Sequence, residues 1–112
     1  MSSISTHVLD TSQGKPAEGI LVSLAIREAD AYRILAQGVT DADGRVRSFL
    51  PEAPLEAGTY QLVFETAAHF RAAARASFFE RVTLEFHVAD PSQHYHVPLL
   101  LSPFGYTTYR GS

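Results

Sequence analysis

The chain has 112 residues, 46% of them hydrophobic, a formal net charge of −3 and no cysteine. That length suits one domain with one core, spanning residues 1–112, and leaves no room for a second. A slightly acidic chain offers no broad cationic field for nucleic acid or anionic lipid, and without cysteine there are neither disulfides nor thiolate metal sites. No stretch approaches the roughly 20 apolar residues of a membrane span. The start, Met1-Ser2-Ser3-Ile4, shows neither a basic segment nor an apolar run of the secretory kind, so a cytoplasmic location is expected.

In chain order, alternation of apolar and polar residues predicts strands over residues 4–10, 20–27, 32–40 and 47–50. After the breaker-rich stretch 51–58 comes another alternating run, 60–65. Residues 66–75, rich in alanine, predict one short helix with Thr66 as its N-cap. Strands follow over 78–87, 94–102 and 106–110. Gln13-Gly14-Lys15-Pro16, Asp41-Ala42-Asp43-Gly44, Asp90-Pro91-Ser92 and Ser102-Pro103 supply the turns. About eight strands at this spacing read as an all-β sandwich. Phe78, Phe79 and Phe86 read as core, and His69 and His87 as structural or solvated.

The run Val97 to Leu101 carries apolar side chains on both faces of a strand. An antiparallel sandwich leaves one face to water, so either a second subunit or a local loop covers the outer one. If Tyr95, Val97, Leu99 and Leu101 fill the core, His94, His96 and Leu100 point outward. An imidazole there exchanges protons near neutral pH, as a base acting on water must. A His94/His96 metal pair is weak, with no dedicated carboxylate beside it. His7 lies on the first strand. Arg45 follows a tight turn that holds its guanidinium ready to fork onto a planar anion or carbonyl pair. Asp41 and Asp43 occupy the first and third places of a calcium loop, but the glycine comes two positions early and calcium is rejected. The ending, Tyr109-Arg110-Gly111-Ser112, combines an aromatic ring, a guanidinium, a glycine and a hydroxyl, a composition unlike that of a frayed tail. Serine-hydrolase elbows, phosphate loops and dinucleotide fingerprints are all missing from the sequence.

Three segments together resemble the 5-hydroxyisourate hydrolase family, the transthyretin-related enzymes of urate breakdown. They are Ser5-Thr6-His7-Val8-Leu9-Asp10 with Gly14-Lys15-Pro16-Ala17; Thr40-Asp41-Ala42-Asp43-Gly44-Arg45; and His94 through Pro103 closing with Tyr106 through Ser112. The resemblance implies a transthyretin-like two-sheet sandwich with one short helix, assembled as a homotetramer with its sites where dimers meet. It implies hydrolysis of 5-hydroxyisourate to 2-oxo-4-hydroxy-4-carboxy-5-ureidoimidazoline, with neither metal nor organic cofactor. His7, Arg45, His96 and Ser112 would be catalytic, and His7, Arg45, Tyr109, Arg110, Gly111 and Ser112 would contact substrate. Which histidine is the base stays open. Two other readings are a transthyretin-like carrier of a small ligand, which has no use for two histidines and an arginine gathered around water, and a non-enzymatic structural sandwich.

Overall fold

The computed structural model describes residues 3–50 and 54–112; the first three positions of the breaker stretch 51–58 lie outside them. Nine strands and one helix follow in the order β1 (Ser3–Asp10), β2 (Lys15–Pro16), β3 (Leu21–Glu28), β4 (Ala31–Val39), β5 (Arg45–Val46), β6 (Gly58–Phe64), α1 (Thr66–Ala72), β7 (Val82–Val88), β8 (His94–Ser102) and β9 (Gly105–Thr108). They form two sheets. One runs β2-β1-β8-β9, with β5 also paired to β1, and the other runs β4-β3-β6-β7. The core lies between them, filled chiefly by alternate residues of β1, β3, β6 and β8: Ile4 and Val8; Val22, Leu24 and Ile26; Tyr60, Leu62 and Phe64; Tyr95, Val97, Leu99 and Leu101. The all-β sandwich with one short helix is therefore the observed architecture.

The β1 and β8 strands, at opposite ends of the chain, pair in parallel over eight positions, from Ser3 opposite His94 to Asp10 opposite Leu101. A parallel pair needs a long crossover, and here nearly the whole chain supplies it. Thr6 faces inward, and its hydroxyl donates to the Val97 carbonyl at 2.6 Å, which satisfies a buried polar group beside the apolar layer.

Several expectations need correction. The strand expected over 47–50 is instead Arg45–Val46, which pairs with Thr6 and His7; beyond it the chain bends, so that Phe49 enters the core and its N–H donates to Ile4. The strand expected from residue 78 starts at Val82. Phe78 and Phe79 are exposed rather than core, because the Phe78 N–H is tied to Pro103 of the β8–β9 hairpin, outside the sandwich. Phe86 packs partly buried against the core. The last strand is Gly105–Thr108, shorter than expected. Helix α1 ends at Ala72, and Glu65 rather than Thr66 occupies the N-cap, without a side-chain bond; Thr66 is already helical, its hydroxyl buried and unpartnered.

The helix ends in a Schellman closure, Arg75 N–H to Phe70 and Ala74 N–H to Arg71, with Ala74 left-handed at φ 55°. This closure delivers Arg75 to Asp10 at 2.7 Å, the Asp10 side chain being only 2% exposed. Burial alone would raise the Asp10 carboxyl, but hydrogen bonds from Arg75 and Ser12 outweigh it and hold the group at about 2. A carboxyl lowered in the folded state stabilises above its unfolded value and loses that contribution as pH falls through the folded one. In thermal melts, the advantage of the wild-type protein over Asp10→Asn is expected to be full above about pH 5 and to vanish toward pH 2. An advantage independent of pH over that range would show that the ion pair does not set it.

Candidate active site

Strand alternation sorts the first sheet into two faces. On β1, Ile4, Thr6 and Val8 point into the core, so Ser3, Ser5 and His7 point out. On β8, Tyr95 and Val97 point in, and His94 and His96 point out. Arg45 lies directly across from His7 in the antiparallel β1–β5 register, on the same outer face. Three strands thus bring His7, Arg45 and His96 together from positions far apart in sequence. The His7 and His96 ring centroids are 6.5 Å apart.

A compact turn aims Arg45. The Asp41 carboxylate accepts from the N–H groups of Asp43 at 2.9 Å and Arg45 at 3.0 Å, and the Gly44 N–H donates to the Asp41 carbonyl at 2.8 Å. Gly44 has φ +77°, and a Cβ there would stand 2.3 Å from the Val8 carbonyl oxygen. Only glycine meets both conditions. The bond from the Val8 N–H to the Gly44 carbonyl, 2.7 Å, then locks the turn to the strand that carries His7.

Past β9 the chain returns to β8. Gly111 forms an antiparallel bridge with His96, its N–H donating to the His96 carbonyl at 2.8 Å. A Cβ on Gly111 would lie 2.6 Å from His96 Cδ2, so the absent side chain is what leaves the imidazole its place. This bridge carries Ser112 to the rim of a cavity of about 310 Å³ lined by Ser5, Thr6, Arg45, Arg47, His94, His96 and Ser112. Tyr109 and Arg110 do not join it. They line a separate cavity of about 410 Å³ beside Tyr95 and β7, where the Arg110 guanidinium sits 4.4 Å from the Tyr95 ring centre and donates to the Gln93 side chain at 2.8 Å. Within one chain Arg110 clamps the returning tail to the start of β8 through Gln93, the His94 carbonyl and the Tyr95 ring.

Sequence reasoning passed over Ser5, His94 as a member of the site, and Arg47. The signal for all three was strand alternation, since each stands two residues from a residue already singled out. Arg47 is held by Asp43 at 3.0 Å and by Asp41 at 3.6 Å.

Both histidines titrate below the ordinary imidazole value. For His96 the causes are burial, then the Arg45 charge, then His94 and His7. For His7 they are burial and Arg45, partly offset by the backbone and carboxylate of Asp43. Neutral imidazoles beside a guanidinium are the state in which a histidine accepts a proton while a fixed positive charge waits for an oxyanion. Among the described residues no group of three or more His, Cys, Asp or Glu is arranged to hold a metal ion, and no helix is long and apolar enough to cross a membrane.

Residues 4–111 match the model of the HIUase/Transthyretin family. A 5-hydroxyisourate hydrolase of Rhizobium meliloti is 48% identical, with 97% of this chain and 95% of that protein aligned. The solved structure of Klebsiella pneumoniae 5-hydroxyisourate hydrolase superposes with a TM-score of 0.88 at 47% identity, covering 99% of this chain and all of that one. Sea bream transthyretin in complex with thyroxine superposes equally well, TM-score 0.90, at 33% identity over 97% of this chain and 94% of that one. Backbone likeness therefore does not separate hydrolase from transthyretin, whereas identity is higher on the hydrolase side. Family model, relatives and fold agree across nearly the full length, and the chain belongs to the HIUase/transthyretin family.

Proposed function

We propose that this protein hydrolyses 5-hydroxyisourate, opening a ring amide to give 2-oxo-4-hydroxy-4-carboxy-5-ureidoimidazoline. The observation that carries the reading is the convergence of His7, Arg45 and His96 on one sheet face, with Arg45, His96 and Ser112 lining a cavity and His7 beside it, outside the lining. A carrier of an apolar ligand gains nothing from two neutral imidazoles beside a guanidinium.

In the reaction, a water held between the imidazoles loses a proton to one of them as its oxygen attacks the amide carbonyl. Arg45 binds the planar, oxygen-rich ring and stabilises the negative charge that grows on the carbonyl oxygen. The protonated imidazole returns its proton to the departing nitrogen. Ser112 hydrogen-bonds substrate or water. Positioning and acid–base help are enough for this chemistry. The Arg110 clamp described above supports a tail-holding role for Tyr109 and Arg110, rather than contact with a substrate bound within the same chain. Generating 5-hydroxyisourate with urate oxidase and following its ultraviolet decay tests the proposal: faster decay with the protein supports it, and unchanged decay rejects it.

The pH profile follows from the lowered histidines. Because both imidazoles are lowered, the acid limb of kcat/KM should lie at lower pH than the titration of an ordinary imidazole. Arg45 is one cause of the lowering, so Arg45→Gln should raise both histidines and move the acid limb to higher pH, besides reducing the plateau. An acid limb that stays in place in the variant would show that neither histidine is the group being titrated.

We place the working enzyme as a homotetramer in the cytoplasm, with its sites covered where dimers meet. The half-buried Leu100 on the same outer face as His96 supports a covering subunit. Light scattering tests the assembly, with four times the 12.3 kDa chain mass as the expected result, and cell fractionation tests the location.

A further inference from the structure

Beside the catalytic pair stands a ladder of hydroxyls and imidazoles. The parallel register sets Ser3 opposite His94 and Ser5 opposite His96, all four on the outer face. The Ser3 hydroxyl lies 2.5 Å from His94 Nδ1, the Ser5 hydroxyl 3.0 Å from His94 Nε2, and the same Ser5 hydroxyl 2.8 Å from His96 Nδ1. The two rings stack with an interplanar angle of 14° and centroids 6.4 Å apart. Ser5 is buried at 5% exposure, whereas His94 is exposed, so the chain of contacts runs from the interior of the site to solvent.

We propose that Ser3, His94, Ser5 and His96 form a proton relay, with Ser5 and His94 as positioning residues that set the tautomer of His96 and draw off the proton released by hydrolysis. The inference rests on the hydrolytic reading above. Opening a ring amide with water yields a carboxylic acid, which ionises near neutral pH, so one proton must leave in each turnover. Ser5 has a single hydroxyl proton to share between two ring nitrogens. When that proton goes to His94 Nε2, Ser5 accepts from the N–H at His96 Nδ1, and His94 Nδ1 donates to Ser3. This arrangement leaves the lone pair of His96 Nε2 free as the base.

When product acid protonates Nε2, the Nδ1 proton passes to Ser5, the Ser5 proton to His94 Nε2, the His94 Nδ1 proton to Ser3, and the Ser3 hydroxyl proton to solvent. Each atom inside the chain gains one proton and loses one. Both tautomers end reversed. After product leaves, the open cavity takes the Nε2 proton and one from solvent enters at Ser3, restoring the start. Charge thus moves out while product still fills the cavity.

The test is Ser5→Ala beside Ser5→Thr. Loss of the hydroxyl should lower kcat by about tenfold or more, part of the hundred- to ten-thousand-fold that general acid–base help supplies, with little change in KM. Threonine should recover most of the loss. The dependence of kcat on deuterium fraction should be curved in the wild type, with several protons in flight, and straight in Ser5→Ala. Nitrogen-15 NMR of the resting protein should find His94 and His96 both protonated at Nδ1. Opposite tautomers in the two rings, or a Ser5→Ala variant with wild-type kcat, would overturn the relay and leave the hydrolytic reading standing. Failure of that reading looks different: the wild-type protein would leave 5-hydroxyisourate decay unchanged, and the tautomers would still decide whether the relay exists.

Discussion

His96→Ala is expected to reduce kcat/KM for 5-hydroxyisourate by roughly 10²- to 10⁴-fold, the range associated with removing a positioned general base. His94 shares the cavity but has both ring nitrogens engaged by Ser3 and Ser5, and His7 lies outside the lining. His7, the neighbouring imidazole, is partly stabilised in its charged form by Asp43, whereas the charges acting on His96, those of Arg45, His94 and His7, oppose its protonation. His96 also has its Nδ1 held by Ser5, which leaves Nε2 available. The fold should tolerate the change, since the ring is half-buried on an outer face and the bond to Ser5 contributes about 1 kcal/mol. Steady-state kinetics with a thermal melt on the same preparation separates the two effects. If His96→Ala keeps activity while His7→Ala loses it, the base is His7 and the ladder beside His96 is structural.

Gly44→Ala is expected to be the most damaging glycine-to-alanine change in the chain. The left-handed backbone at φ +77° costs about 1 kcal/mol for an alanine, and the new Cβ has no room, with the Val8 carbonyl oxygen at 2.3 Å, Pro16 Cβ at 3.1 Å and the Ala17 nitrogen at 3.2 Å. The turn must pull away from β1 and give up the bond between Val8 and Gly44. A total loss on the order of 4 kcal/mol follows, in the range kept for strain and clash together, and it should lower the melting temperature by 15 °C or more, at about 4 °C per kcal/mol. Activity should fall further than stability, because the same turn aims Arg45. A melting temperature within about 3 °C of the wild type would mean that the turn adjusts freely, and that Arg45 is not held by it in the way described.

The site assembles from strand register, and this explains how it was legible in part. His7 and Arg45 meet because β1 and β5 pair antiparallel at that position; His96 joins because β8 lies parallel to β1 on the other side. Period-two alternation told from sequence which way His96 would point, given only that Leu99 and Leu101 fill a core. It could not tell that Ser5 and His94 would touch, because that contact depends on pairing between residues 89 apart.

The chain alone determined the sandwich, its short helix and the outward face of His96, because alternation, turn glycines and an alanine-rich run are local properties that neighbouring residues impose on one another. Its motifs also carried the family resemblance. Only the tertiary structure decided that Phe78 and Phe79 lie outside the core, that the middle strand begins at Arg45, and that Tyr109 and Arg110 turn to the far side of β8 while Ser112 reaches the cavity. Those outcomes depend on hydrogen bonds between distant segments, such as Phe78 to Pro103 and Gly111 to His96, and no local periodicity encodes which distant carbonyl an N–H will meet.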